Sequence, residues 1–86
     1  MNNVESIINE LMVIDSELPT HYVRLQREQG EITNTMNKVQ SAFSDQQAGQ
    51  ILVSTLYKTL QNVIAAESSL NNLKQEITKC INNLKK

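Results

Sequence analysis

Few residues of this chain are of the types that do chemistry, and their spacing does not assemble a reactive site. His21 is the one histidine and Cys80 the one cysteine. A zinc site takes three or four such ligands, and no second His or Cys lies within helical reach of His21. We therefore predict that His21 is a surface residue, that Cys80 packs as a small buried hydrophobic side chain, and that the protein uses no metal or cofactor.

The carboxylates also fail to suggest catalysis. Glu5 with Glu10, and Glu28 with Glu31, have the spacing of solvated helix faces, and the sequence has no glycine-rich phosphate loop. The 86 residues carry a net charge of −1, whereas dedicated nucleic-acid binders usually have a clear basic excess. We predict one domain, residues 1–86, that is not an enzyme and does not bind nucleic acid.

Apolar residues recur at steps of four and three along the first half of the chain, which predicts a long amphipathic helix over about residues 2–43. Ten of the twelve positions in this pattern are apolar or aromatic. The twelve are Val4, Ile8, Leu11, Asp15, Leu18, Tyr22, Leu25, Gln29, Ile32, Met36, Val39 and Phe43.

The same stepping predicts a second helix over about residues 50–85. Its interface positions are Leu52, Leu56, Thr59, Val63, Ala66, Leu70, Leu73, Ile77, Cys80 and Leu84. Asp15, Gln29 and Thr59 are polar breaks in the two patterns. Such residues either fix the register of the helices or lie at a solvated rim, and both alternatives are open. Nothing has the pattern of a strand, so the sequence predicts an all-α fold, an antiparallel two-helix hairpin.

The predicted turn lies at about residues 43–50, where both patterns are interrupted. Ser44 and Gln47 have the spacing of a capping box, and Gly49 could take a positive φ if the chain reverses later. Within the first helix, Pro19 lacks an amide hydrogen, yet the apolar pattern keeps its phase across it. We favour a kink near Pro19 within one helix. The alternative is a short helix over 2–16, a new helix beginning at Pro19 and a three-helix bundle.

Charge supports the antiparallel arrangement. Residues 1–45 have seven acidic and three basic side chains, a net charge of −4, and residues 46–86 have two acidic and five basic ones, a net charge of +3. Folding back near residue 46 would set Glu5 and Glu10 beside Lys79, Lys85 and Lys86. Acidic residues at a helix start and basic residues at a helix end also complement the helix dipole.

The chain has more apolar residues than one hairpin interface uses. Those beside the two patterns are Ile7, Val13, Ile14, Val23, Ile51, Val53, Tyr57, Leu60, Ile64 and Ile81. They are densest over residues 51–64, and an apolar face of that width on a soluble protein marks an interface. We expect two hairpins to complete a four-helix bundle. The predicted partner-binding residues are Tyr22, Phe43, Leu52, Leu56, Tyr57, Leu60, Val63 and Ile64, with Leu56, Leu60, Val63 and Ile64 as anchors.

The sequence also bounds the compartment. The first residues have no signal-peptide pattern, a single cysteine does not indicate an oxidising compartment, and no stretch is long enough to span a membrane. The polar faces hold few Lys or Arg, so an amphipathic membrane-surface helix fits poorly. We predict a protein that is cytoplasmic as synthesised and not inserted in membranes. Export by a route that needs no signal peptide is the alternative.

In length, central turn and paired amphipathic helices, the chain resembles the Trp-x-Gly helical-hairpin proteins of bacterial type VII secretion. It also resembles the small partner proteins of the N-terminal helical domains of LXG toxins. Phe43 stands where the family's Trp would lie. Gly49 comes later than the motif's Gly, and Tyr57 is followed by Gln61 where the export element has Asp or Glu. The resemblance implies a partner role, which needs only an apolar face.

These observations give one leading hypothesis and two alternatives. The leading hypothesis is a non-enzymatic protein that binds another helical protein side by side, as a targeting factor or chaperone for a type VII effector such as a toxin's helical domain. The first alternative is a homo-oligomeric structural or regulatory bundle of phage or plasmid type. The second is an RNA-binding hairpin, which the few basic residues among acids disfavour.

Overall fold

The structure, a computed structural model that describes residues 3–85, consists of two long helices joined by a short turn. Helix α1 is Asn3–Phe43 and helix α2 is Gln47–Leu84. They pack antiparallel into a rod whose Cα atoms span 65 × 16 × 15 Å. No strand occurs between residues 3 and 85. The predicted all-α hairpin is confirmed.

Helix α1 continues without interruption through Pro19, so the three-helix alternative is wrong. Pro19 is exposed, while the adjacent Leu18 is 5% exposed and packs toward α2. The proline ring therefore lies beside the helix interface rather than within it and leaves the packing of Leu18 intact. Packing of an apolar helix face, rather than local propensity, supplies most helix stability in proteins, and here it holds α1 together across the proline.

The predicted interface of α1 agrees with the burial of its side chains. Nine of the twelve predicted positions are buried or half-buried, and Val4, Tyr22 and Phe43 are more exposed. The nine are Ile8, Leu11, Asp15, Leu18, Leu25, Gln29, Ile32, Met36 and Val39.

The predicted interface of α2 is half right. Leu56, Val63, Leu70, Ile77 and Leu84, spaced by seven residues, are buried or half-buried as predicted. Of the other five predicted positions, Ala66 is half-buried and four are exposed, namely Leu52, Thr59, Leu73 and Cys80.

The interface instead includes residues that directly follow predicted positions. These are the half-buried Val53, Leu60, Glu67 and Ile81. The predicted and the observed interface positions of α2 both recur at steps of three and four, so periodicity alone does not distinguish the two registers. The prediction that Cys80 packs as a buried hydrophobic side chain is consequently wrong, since its thiol is exposed.

The turn comprises Ser44, Asp45 and Gln46. The amide of Gln46 donates to the carbonyl of Phe43 at 3.1 Å, and Gln46 is the N-cap of α2 in an extended conformation. The predicted capping box is wrong, because Ser44 precedes the cap by two residues and the first turn of α2 has no side-chain cap within the described chain. The carbonyl of Ser44 instead accepts a hydrogen bond from Nε2 of Gln50 at 3.0 Å.

Gly49 has a different role from the one its position in the turn region suggested. It lies in the first turn of α2 and is buried, and no described glycine has a positive φ. A Cβ atom added to Gly49 would lie 2.6 Å from the Cβ of Phe43 and would overlap the carbonyl oxygen of Phe43. The absence of a side chain therefore allows the start of α2 to lie against the end of α1.

One of the three ion pairs in residues 3–85 joins the helices. Lys74 Nζ lies 3.3 Å from Asp15 Oδ1, whereas Lys79 pairs with Glu76 on its own helix. Asp15 is thus one polar break that does contact the facing helix. Thr59 is exposed, and its hydroxyl donates to the carbonyl of Thr55 on the same helix. Lys86, which the charge argument included, lies outside the described residues.

The two glycines of the chain provide a matched test of the turn. We expect Gly49→Ala to lower the free energy of unfolding by about 1–3 kcal/mol, because the new methyl group overlaps Phe43. Gly30 is exposed in the interior of α1, and a Cβ atom added there would have no neighbouring atom within 4 Å. Gly30→Ala should therefore raise the free energy of unfolding by about 1 kcal/mol. Urea titrations of both variants at one protein concentration measure the difference, and equal effects would contradict this role of Gly49.

Candidate protein-binding surfaces

The hairpin is too thin to enclose a core. Among residues 3–85, Leu18 at 5% and Ile77 at 4% are the two hydrophobic side chains that are fully buried. The surface area is 6436 Å², compared with about 5,100 Å² for a folded monomer of this mass. The radius of gyration is 19.3 Å, compared with about 12 Å for a globular chain of this length. The interface side chains are therefore only half covered.

The exposed apolar residues lie on two opposite flanks of the rod. The interface pattern repeats every seven residues along both helices, so residues seven apart stay on the same side of the pair. Gln50 borders the interface position Val53 on one side, and Leu52 borders Gly49 and Leu56 on the other. The hollows in the surface also lie on these two opposite sides of the rod.

One hollow, of about 190 Å³, lies between Leu18, Pro19 and Tyr22 of α1 and Leu70, Asn71 and Lys74 of α2. A second, near the turn, has Gln40 and Gln50 in its lining. Gln40 follows Pro19 by three heptads and Gln50 precedes Asn71 by three heptads, so both hollows open on the same side. A third hollow contains Phe43 and Leu52 and opens on the opposite side.

We call one side of the rod the apolar flank. It consists of Leu52 and the residues of both helices that lie on the same side of the interface as Leu52. It runs in steps of seven along each helix, and its middle is polar, with His21, Glu28, Thr35 and Thr59. Its apolar members are Ile7, Ile14 and Ala42 of α1, and Leu52, Ala66, Leu73 and Cys80 of α2. Phe43 adjoins Leu52 at the turn end. The next line of α1 side chains is charged and includes Glu10 and Glu17, so the apolar flank has an acidic border near the chain ends.

We call the opposite side of the rod the uncharged flank. It consists of Gln50 and the residues of both helices that lie on the same side of the interface as Gln50. It carries a row of exposed apolar and aromatic side chains between long stretches of Gln, Asn, Ser and Thr. The apolar and aromatic ones are Met12, Pro19, Tyr22, Val23, Tyr57 and Ile64. Tyr22 belongs here because it lines the hollow beside Pro19.

The structure distributes the predicted partner-binding residues over three places. Leu56, Leu60 and Val63 are half-buried against α1 and belong to the hairpin interface. Three of the four predicted anchors therefore pack within the hairpin. Phe43 and Leu52 lie on the apolar flank, whereas Tyr22, Tyr57 and Ile64 lie on the uncharged flank.

The prediction omitted Ile7, Ile14 and Leu73 from the candidate surface. All three are exposed apolar residues of the apolar flank. The signal that could have found them is their spacing: Ile14 follows Ile7 by seven residues, and Leu73 follows Leu52 by three heptads. The predicted list was instead built on the density of apolar residues over 51–64.

The reactive side chains stay apart. His21 is half-buried, and its Nδ1 lies 2.9 Å from the guanidinium Nη2 of Arg24. Within the part of the chain that the structure describes, no three His, Cys, Asp or Glu side chains cluster so that they could hold a metal ion.

Glu67 is the unusual polar residue of the interface. It occupies an interface position of α2 and is half-buried, and its Oε1 atom is buried without a hydrogen-bond partner among residues 3–85. A buried acceptor without a partner costs about 1–3 kcal/mol. Glu67 therefore weakens the hairpin at a point where an apolar residue would strengthen it.

The fold and these surfaces define a class, an all-α helical hairpin with two unlike flanks. Comparison with protein-family models, with curated proteins and with solved structures finds no match for this chain. Neither helix contains, within residues 3–85, a stretch long and apolar enough to cross a membrane.

Glu67 and Glu76 provide a test of the interface register. We expect Glu67→Leu to raise the free energy of unfolding by about 1–2 kcal/mol, because it removes the unpaired acceptor and adds an apolar contact. Glu76 is exposed and pairs only with Lys79 on the surface, so Glu76→Leu should change stability by less than about 0.5 kcal/mol. Thermal unfolding followed by circular dichroism compares the two variants, and no gain for Glu67→Leu would place residue 67 outside the interface.

Proposed function

We propose that this protein is a non-enzymatic partner protein that binds another helical protein side by side and completes a four-helix bundle with it. The observation that carries the proposal is the incomplete core, with two buried hydrophobic side chains in a hairpin of 6436 Å² surface. The excess over a compact monomer is about 1,300 Å², more than the roughly 800 Å² that one protein contributes to a standard interface.

The proposed contact is the apolar flank. Its side chains repeat every seven residues along the rod, which is the spacing that a helix running alongside can interleave. Near the chain ends this flank is bordered by Glu10 and Glu17. A complementary partner therefore presents an apolar helix stripe bordered by Lys or Arg, because opposite charges at an interface rim favour encounter and fix the orientation.

The partner class that we propose is the N-terminal helical domain of a type VII secretion effector, with this chain as its targeting factor or chaperone. Support comes from the architectural resemblance: two long amphipathic helices, a central turn and an aromatic residue, Phe43, at the helix junction. Covering an apolar stripe of the effector until delivery would be the mechanism, and it needs no catalytic group on this chain.

Two neighbouring residues of α1 test the proposal. Ile14 lies on the apolar flank, and Val13 points away from the interface with 58% of its surface exposed. Co-expressed with the helical domain of an effector encoded beside it, the wild-type chain should form a complex of defined stoichiometry. Ile14→Glu should weaken that complex by at least about tenfold, because it buries a charge in an apolar contact. Val13→Glu should bind as the wild type does.

Calorimetric titration of purified components measures the affinities, and circular dichroism confirms that both variants are helical. Equal binding by the two variants would exclude the apolar flank as the contact. Failure of the wild-type chain to bind the helical domain would contradict the proposed partner class.

A further inference from the structure

The uncharged flank has a composition that solvent exposure alone does not explain. It consists of two adjacent lines of positions on each helix, which hold twenty-one residues between Asn9 and Asn82. None of the twenty-one carries a charge, although 20% of the chain is charged. The first charged residues on these lines are Glu5 and Lys85, near the chain ends. Soluble surfaces usually mix both signs of charge over about 25–35% of positions. Charge depletion is instead typical of the centre of a protein interface.

The exposed apolar and aromatic residues of this flank are also typical of a protein interface. Tyr22, Tyr57, Met12, Val23 and Ile64 are all exposed on this flank, and Val23 is the most exposed large hydrophobic residue of the described chain at 64%. Tyrosine is enriched among the residues that dominate binding energy. The hollow of about 190 Å³ beside Pro19, Tyr22 and Leu70 adds a mainly apolar recess to this flank, and Lys74 also lines it.

We infer that the uncharged flank is a self-association surface and that a second copy of this chain occupies it. Two identical faces meet in a twofold dimer, so every charged position would risk facing its own sign across the interface. A face without charges avoids that conflict. Its Gln and Asn side chains each carry both donor and acceptor groups, so the same residue type satisfies both sides of a symmetric contact.

The two flanks share the excess surface of the chain, about 1,300 Å² over a compact monomer of its mass. A dimer through the uncharged flank is of standard size when each chain buries about 800 Å². The central position of the flank identifies where the contact is most sensitive. Val23 lies at the midpoint of α1, and Ile64 lies close to the midpoint of α2.

This inference is independent of the proposed function, because the two contacts use opposite flanks. The test is sedimentation equilibrium of the purified full chain without any partner, which should show a dimer at micromolar concentration. Val23→Glu should weaken the dimer by about a hundredfold, since it desolvates a carboxylate and sets like charges near each other. Val13→Glu makes the same substitution at a similarly exposed position on the outer side of the same helix and should leave the dimer intact.

Two further variants keep the outcome decisive. Val23→Gln keeps the flank uncharged and should retain the dimer, and Ile14→Glu on the apolar flank should leave self-association unchanged. A wild-type chain that is monomeric at these concentrations overturns the inference. So does a dimer that Ile14→Glu breaks and Val23→Glu does not, since the apolar flank would then be the self-association surface.

Discussion

The close approach of Gly49 to Phe43 is the constraint on which the rest of the structure depends. It sets the start of α2 against the end of α1 and thereby sets the rotation of α2 about its own axis. Gly49 begins the line of interface positions that continues through Leu56 to Leu84, and every later residue of α2 takes its direction from that rotation. Because a helix is stiff, a choice made within one turn determines which side chains are exposed along the whole rod.

That rotation produces two flanks of different character. It turns Leu52, Leu73 and Cys80 out onto the apolar flank, and it turns Tyr57 and Ile64 out onto the flank without charge. Two helices alone cannot cover either flank, because each helix presents only one stripe to the other. The hairpin therefore leaves apolar side chains exposed on two unlike flanks.

The interface also contains polar residues that add little to stability. Asp15 finds Lys74 across the interface at 3.3 Å, an exposed pair worth about 0–1 kcal/mol. Glu67 has a buried oxygen without a partner among the described residues. Polar residues at interface positions can fix the register of a helix pair at a loss of stability.

The sequence by itself determined that the chain is all-α, that it folds back on itself near residue 46, and which residues of α1 face the partner helix. It could do so because a heptad pattern over twelve positions is long enough to define both the helix and its apolar side. It did not determine the rotation of α2, because the steps of three and four fit two neighbouring registers equally well there. Only the tertiary structure decided between them, through the contact of Gly49 with Phe43, and with that rotation it decided which side chains the hairpin leaves exposed.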